Sequence, residues 1–215
     1  MTLMEMALEV AGRNKSVVEQ PPNSNWGPQV KLFLESAGIS KPAPWCAAFV
    51  YFCIAQAAKE LGVANPFQGI KYPALAFAYS AWGGEHDRII KSRGEHADHE
   101  YPPGALVVFH FSHIGFILDT LGGGKVRTIE GNTNGAGSRD GGAVLVKDRK
   151  LHINDVVLTY GERQPVRITW ELARPILQAG YEHLFGKLRP EERDGNVQLK
   201  YWNELVRREK ERFDV

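Results

Sequence analysis

Residues 44–62 read Pro-Trp-Cys-Ala-Ala-Phe-Val-Tyr-Phe-Cys-Ile-Ala-Gln-Ala-Ala-Lys-Glu-Leu-Gly. From Trp45 to Leu61 the residues are rich in alanine and apolar nearly all round, which is typical of a helix buried in a protein core. Gly62 is the predicted end of this helix. The stretch therefore predicts a buried helix that carries both cysteines of the chain.

The segments on either side of this helix predict an α+β fold. Helices are expected over 2–12, 28–37 and 73–81, followed by an irregular polar excursion over 83–104. The pattern then changes to period two and to β-branched residues. It predicts strands over 105–110, 113–118, 126–130 and 143–148, with a turn at 122–124 and a loop at 132–142. Closely spaced strands favour an antiparallel meander, and helices before strands indicate an α+β fold.

The length predicts one main domain with an addition. We expect a catalytic domain over 1–160 and a helical C-terminal extension of unknown role over 161–215, with helices at 170–185 and 197–213. The composition is that of an ordinary globular protein, with 43% hydrophobic and 24% charged residues. A net charge of +1 gives no reason to expect nucleic acid as a partner.

The two cysteines predict different roles. Cys46 and Cys53 are seven residues apart, about 10 Å along a helix, which is too far for a disulfide. Cys46 falls in the first turn, where unpaired N–H groups and the helix dipole stabilise a thiolate, the attacking form of cysteine. Cys53 falls in the middle of the helix among apolar residues, so we expect it to pack in the core.

A base and its orienting group are predicted on the strands. His113 begins a strand and is the candidate to hold the thiol proton, and His110 is a nearby competitor. Glu130 and Asn132 end the next strand and share one sheet face, so either of them is placed to orient His113. Asn134 is assigned to turn chemistry.

These residues belong to an ordered set of motifs. The set comprises Asn-Trp-Gly-Pro-Gln-Val-Lys-Leu-Phe-Leu at 25–34, Pro-Trp-Cys-Ala-Ala-Phe-Val at 44–50, Pro-Gly-Ala-Leu-Val-Val-Phe at 103–109, Ser-His-Ile-Gly-Phe at 112–116 and Ile-Glu-Gly-Asn at 129–132. It resembles the CHAP branch of the NlpC/P60 cysteine peptidases, over roughly residues 5–150. The resemblance implies a papain-like core in which N-terminal helices pack on an antiparallel sheet.

The resemblance also implies a role for each site residue. Cys46 is the nucleophile, His113 the base, and Glu130 with Asn132 the orienting pair, while the backbone N–H of Cys46 helps to bind the oxyanion. Candidates for the substrate cleft are Asn25, Trp45, Trp82 and His110.

No metal or cofactor is expected. The stretch at 39–44 lacks the carboxylates of the calcium loop that some family members carry. The cluster of His86, His96, Asp98 and His99 fits no metal-ligand spacing and is expected to be an exposed loop.

The implied function is hydrolysis of peptidoglycan, either at the N-acetylmuramoyl–L-alanine amide or within the stem peptide. The N-terminal residues do not form a secretory signal, and no apolar run is long enough to span a membrane. We therefore expect synthesis in the cytoplasm, and action in the periplasm or cell wall after lysis or export. That fits a phage-type lysin, or an antibacterial effector with a delivery apparatus and an immunity protein.

Two alternatives remain open at this point. One is a catalytically silent domain that binds cell-wall peptides or a protein partner. The other is a cysteine amidase that acts on a substrate outside the wall.

Overall fold

The computed structural model describes residues 1–92, 99–136 and 141–161. Within these residues the chain forms four helices, namely α1 (Leu3–Arg13), α2 (Pro28–Ser36), α3 (Cys46–Leu61) and α4 (Ala76–Glu85). Six strands are described, namely β1 (Ile89–Ser92), β2 (Leu106–Phe109), β3 (His113–Gly122), β4 (Lys125–Thr133), β5 (Ala143–Lys150) and β6 (Asn154–Val157). The predicted α+β class is confirmed. Apart from Gly161, the predicted extension over 161–215 lies outside the described residues.

The helix ends follow local chemistry. Thr2 and Glu5 form a capping box at the start of α1, in which each side chain binds the other residue's backbone N–H. Pro28 is the first residue of α2, where its missing N–H costs no helical hydrogen bond. Gly62 closes α3 in the left-handed conformation, with φ +67°. The predicted helices α1, α2 and α3 are confirmed, whereas α4 begins and ends later than the predicted 73–81.

The strands form one antiparallel sheet in the order β1-β6-β2-β3-β4-β5. The predicted meander is confirmed for β2 to β5. The prediction of an irregular excursion over 83–104 was wrong in part, because α4 continues to Glu85 and β1 adds an edge strand. Strand β6, which inserts between β1 and β2, was not predicted. Both missed strands lie at or next to one edge of the sheet and are paired with segments distant in sequence.

Apolar residues pack on both faces of the sheet. Alternate residues of β2 divide between the faces: Leu106 and Val108 join the core formed with α1 to α4, and Val107 and Phe109 join a second, smaller cluster. His113 pairs directly with Phe109 across β2 and β3. The sheet therefore brings its polar site residues to one end, beside the start of α3.

No helix in the described part of the chain has the length and apolar character needed to cross a membrane.

Candidate active site

Cys46 is the first residue of α3, and its side chain is close to fully enclosed, with 6% of the residue exposed. A backbone N–H in the first turn has no acceptor within its own helix. Cys46 therefore combines a thiol with an N–H donor that remains available to a bound oxyanion.

His113 begins β3 and is fully buried. Its Nε2 lies 2.9 Å from Oε2 of Glu130. The imidazole packs beside both Phe109 and Phe111, with ring centroids 6.1 Å and 5.9 Å away. The other ring nitrogen, Nδ1, is buried and has no hydrogen-bond partner of good geometry among the described residues. Because Nε2 is held by Glu130, Nδ1 is the atom left to exchange a proton with a thiol.

Cys46 and Glu130 both interact with the imidazole of His113, and both interactions raise its pKa. Burial alone would lower the pKa of the imidazole, because a charged ring loses its hydration. The interactions with Cys46 and with the Glu130 carboxylate outweigh burial and raise the pKa of His113 to about 9. His113 therefore carries a proton at neutral pH in this environment.

Glu130 is held on both carboxylate oxygens. Arg149 donates from Nε to Oε1 at 2.8 Å and from its second terminal nitrogen to Oε2, and Thr128 donates to Oε1 at 2.6 Å. Burial would raise the pKa of Glu130, but the hydrogen bonds from Arg149 and His113 outweigh it and lower the pKa to about 2. The carboxylate is therefore charged at neutral pH and its orientation is set by three partners.

Two glycines leave room for this arrangement. A Cβ on Gly115 would lie 2.6 Å from Cγ of Glu130, so the glycine allows the carboxylate to cross its strand. A Cβ on Gly131 would lie 2.7 Å from Cβ of Phe49 and 2.8 Å from Cζ3 of Trp45. The absence of side chains at these two positions lets β4 approach both β3 and the start of α3.

The two predicted orienting residues differ in what they contact. Glu130 binds His113, as described above. Asn132 is fully buried in the left-handed conformation, with φ +56°, and neither polar atom of its side chain has a hydrogen-bond partner among the described residues. The geometry therefore assigns the orienting contact to Glu130.

Two of the predicted cleft residues are enclosed. Trp45 is fully buried, and its indole N–H donates to Oε1 of Glu19 at 2.8 Å. Trp82 is 9% exposed and stacks on His86 at a centroid distance of 4.3 Å. Trp82 and His86 line a cavity of about 490 Å³ whose walls do not include Cys46.

The other two predicted cleft residues are more accessible. Asn25 is half-buried in the loop before α2, with φ +52°. His110 is exposed, and its Nδ1 lies 3.1 Å from the carbonyl oxygen of Ile153. His110 thus directly follows β2, at the end of the sheet where His113 lies, but its described hydrogen bond is to Ile153 and not to Cys46, His113 or Glu130.

Sequence reasoning missed three side chains that support the site. Arg149 lies one residue beyond the predicted end of β5, although it continues the alternation of Leu145 and Lys147. Thr128 shares a strand face with Glu130, which was a usable signal. Glu19, a buried carboxylate in a loop, gave no signal, because its partner Trp45 is distant in sequence.

Cys53 has different surroundings from Cys46. It is fully buried, and burial raises the pKa of its thiol well above the ordinary value. Both cysteines are free thiols.

The polar excursion is only partly described. His86 stacks on Trp82 as given above, and His99 lies 4.7 Å from the ring of Tyr101, whereas His96 and Asp98 lie outside the described residues. Within the ranges that the structure describes, no three His, Cys, Asp or Glu side chains are grouped to hold a metal ion.

Comparison with known proteins gave no match of any of the three kinds sought. No family model matches the chain, no curated protein matches it, and no solved structure matches it.

Proposed function

We propose that this protein is a cysteine hydrolase in which Cys46 is the nucleophile, His113 the general acid and base, and Glu130 the orienting group. The proposal rests on a set of buried side chains that begins at the start of α3 and includes His113 and Glu130. His113 is hydrogen-bonded to the Glu130 carboxylate, and Arg149 and Thr128 donate hydrogen bonds to that carboxylate. An arrangement of nucleophile, base and orienting group is the general requirement for covalent catalysis of acyl transfer.

The proposed reaction has two steps. The Cys46 thiolate attacks the amide carbonyl, and the oxyanion that forms is stabilised by the N–H groups at the start of α3. Protonated His113 then gives its proton to the leaving amine, and a thioester remains. Water attacks this thioester while neutral His113 accepts one water proton, and collapse of the intermediate releases the carboxylic acid and regenerates the Cys46 thiolate beside protonated His113.

Glu130 contributes through its fixed charge. It accepts from Nε2 of His113 and stabilises the imidazolium, while Arg149 keeps the carboxylate from accepting the proton itself. Because Glu130 holds Nε2, Nδ1 is the His113 atom that exchanges protons with Cys46, the leaving amine and water in the proposed steps.

For the substrate we propose the peptide portion of peptidoglycan. The support is the resemblance to the CHAP branch of the NlpC/P60 peptidases, whose papain-like core has a cysteine at a helix start and a histidine on the adjoining antiparallel sheet. The described helices and sheet are compatible with that core. The scissile bond is the N-acetylmuramoyl–L-alanine amide or a bond of the stem peptide. The protein reaches this bond either as a phage-type lysin or as a delivered effector.

The test is mass spectrometry of purified peptidoglycan after digestion. Wild-type protein is expected to release muropeptide fragments whose new ends name the bond, and Cys46→Ala is expected to release none. Cys53→Ala is the matched control, because it removes the other thiol of the same helix away from His113. Wild-type release by the Cys46→Ala variant would show that the nucleophile is wrong.

Measuring peptidoglycan binding, together with covalent labelling of Cys46, separates the two alternatives: a catalytically silent binding domain and a cysteine amidase with a substrate outside the wall. Wild-type protein that binds peptidoglycan without cleaving it supports a binding domain. If the protein neither binds nor cleaves peptidoglycan, but an activity-based amide or thioester probe labels Cys46 covalently, the result supports a cysteine amidase with a substrate outside the wall.

A further inference from the structure

The guanidinium of Arg149 binds both oxygens of the Glu130 carboxylate. Nε donates to Oε1 at 2.8 Å, and a terminal nitrogen donates to Oε2, the oxygen that also accepts from His113. Thr128 donates to Oε1 at 2.6 Å. The Arg149 side chain is 15% exposed and that of Glu130 is fully buried. Because both oxygens are held by directional donors, the contact fixes the rotation of the carboxylate as well as its charge.

The same guanidinium has a second contact near the base. Its Cζ lies over the ring of Phe109, 5.3 Å from the ring centroid. A cation over the face of an aromatic ring is attracted by the negative charge of that face. The Phe109 ring in turn packs beside the imidazole of His113, with 6.1 Å between the centroids and 25° between the planes. Arg149 therefore touches both the carboxylate that binds Nε2 and a ring that packs against the imidazole.

The register of the sheet explains how one side chain reaches both groups. Arg149 pairs directly with Val126, and Glu130 lies four residues further along the strand of Val126, so Arg149 and Glu130 share a sheet face. His113 pairs directly with Phe109 and shares its face. Val126 and Phe109 belong to the same apolar cluster, which identifies the two faces as one. The guanidinium therefore meets Glu130 and Phe109 on the face that carries His113.

A second arginine on the same two strands gives a matched comparison. Arg127 binds both oxygens of Asp148, at 2.8 Å and 3.1 Å, but these side chains are 46% and 53% exposed. The two pairs have the same chemistry, and only the carboxylate of the Arg149 pair binds a histidine. Replacing arginine by lysine keeps the positive charge but removes the planar group with parallel donors. The same substitution at the two positions therefore separates the geometry of the buried pair from charge alone.

We propose that Arg149 is a positioning residue of the hydrolase, which sets the orientation of the His113 ring through the Glu130 carboxylate and the Phe109 ring. This role rests on the proposed function, because it gives Arg149 a part in the reaction of Cys46. It requires the planar guanidinium, and a positive charge alone does not supply it.

The kinetic test compares Arg149→Lys with Arg127→Lys on a soluble muropeptide, a disaccharide that carries its stem peptide. Arg149→Lys is expected to lower kcat about tenfold or more with KM within about twofold, because a misplaced base slows the chemical step and leaves substrate binding intact. Arg127→Lys is expected to keep both wild-type values. A wild-type kcat in folded Arg149→Lys protein would overturn the positioning role.

A double-mutant cycle tests the route through Glu130. If Arg149 acts through Glu130, the combined variant Arg149→Lys with Glu130→Gln loses less kcat than the product of the two single losses. A combined loss equal to that product would show that Arg149 and Glu130 act independently, which contradicts the proposal.

A measurement on the wild-type protein does not depend on the folding of any variant. In a ¹⁵N NMR spectrum, the Nε–H of Arg149 is expected to exchange with water much more slowly than that of Arg127, because it is enclosed and held by Glu130. Equally fast exchange of the two Nε–H groups would overturn the buried contact on which the positioning role depends.

The ¹H NMR signal of the His113 Nε2–H separates failure of the positioning role from failure of the proposed function. This proton is donated to Glu130, since a carboxylate only accepts. Its signal is expected to move in Arg149→Lys and to stay in place in Arg127→Lys. Wild-type protein that leaves peptidoglycan intact defeats the proposed hydrolysis, whatever the NMR result. An unmoved Nε2–H signal in Arg149→Lys defeats the positioning role, whatever the enzyme cleaves.

Discussion

Cys46 and Cys53 lie on the same helix, seven residues apart, and are both largely enclosed, with 6% and 0% of each residue exposed. They differ in the side chains that lie beside the thiol. Cys46 starts the helix beside His113, and their interaction raises the pKa of the histidine. Cys53 lies in the middle among apolar side chains, and burial alone raises the pKa of its thiol. Burial therefore tells little about the role of a cysteine until its neighbours are known.

The largest expected difference is in reactivity toward iodoacetamide at pH 7. Cys46 is expected to be alkylated at least about 100-fold faster than Cys53, because burial raises the pKa of the Cys53 thiol and shields it completely from the reagent. Peptide mass spectrometry after timed labelling gives both rates in one sample. His113→Ala is expected to slow labelling of Cys46 and leave that of Cys53 unchanged.

Denatured protein supplies the control for labelling, since both thiols are then equally exposed. Equal rates in the folded protein would remove the distinction between the two cysteines and, with it, the case for a nucleophile.

The next largest effect is expected from Glu130→Gln, which keeps the size of the side chain but removes its charge. We expect kcat to fall about 10²-fold, since His113 loses the partner that stabilises its charged form and Arg149 loses its carboxylate. The pH profile is expected to change as well. His113 with a pKa raised to about 9 keeps its proton below that pH, so wild-type activity falls as pH rises through about 9. In Glu130→Gln the pKa of His113 is lower, and activity is lost at lower pH.

Asp148→Asn is the matched control for removing a carboxylate from this sheet. Asp148 pairs with Arg127 on the surface, with 53% and 46% of their side chains exposed. An exposed pair of this kind contributes little, so kcat and the alkaline limb are expected to stay at the wild-type values. An unchanged alkaline limb in Glu130→Gln would mean that Glu130 does not set the pKa of His113.

The surroundings of the two thiols also show what sequence reasoning was able to predict. Helix α3 and its end at Gly62 were predicted because an apolar run and a terminal glycine are local signals. Strands β1 and β6 were missed because they are stabilised by pairing with segments distant in sequence. Local pattern carries no information on such pairing.

The candidate site divides in the same way. Cys46, His113 and Glu130 were singled out by their spacing and their positions at element ends. The contacts of Arg149 and Glu19 depend on strand register and on loop packing, neither of which a single sequence displays. The choice between Glu130 and Asn132 also depended on geometry, because both lie on one strand face at the same sheet end.

A smaller effect is expected from Gly131→Ala, which adds one methyl group where β4 meets the start of α3. The new Cβ would lie 2.7 Å from Cβ of Phe49 and 2.8 Å from Cζ3 of Trp45, so the helix start must move. We expect a loss of about 1–3 kcal/mol in the free energy of unfolding, typical of overpacking. Alkylation of Cys46 should change more than that of Cys53.

Gly12→Ala is the matched control for Gly131→Ala, because a Cβ at Gly12 meets nothing within 4 Å. In a helix this change is expected to raise the free energy of unfolding by about 0.5–1 kcal/mol. Denaturant unfolding measures both variants. Equal stability changes of the same sign would contradict the close contact between Gly131 and α3.

The smallest effect is expected at Cys53 itself. Cys53→Ala removes one buried atom and is expected to cost about 1 kcal/mol of unfolding free energy, with kcat within about twofold of the wild type. Cys53→Ser keeps the volume but buries a hydroxyl among apolar side chains, so it is expected to cost more, about 1–3 kcal/mol. At Cys46 the same two substitutions are expected to abolish turnover with little change in stability. Because the two sites share one helix, a loss of turnover in Cys53→Ala without a loss of stability would show that the middle of α3 also controls the reaction, and Cys46 would then not be the sole functional thiol.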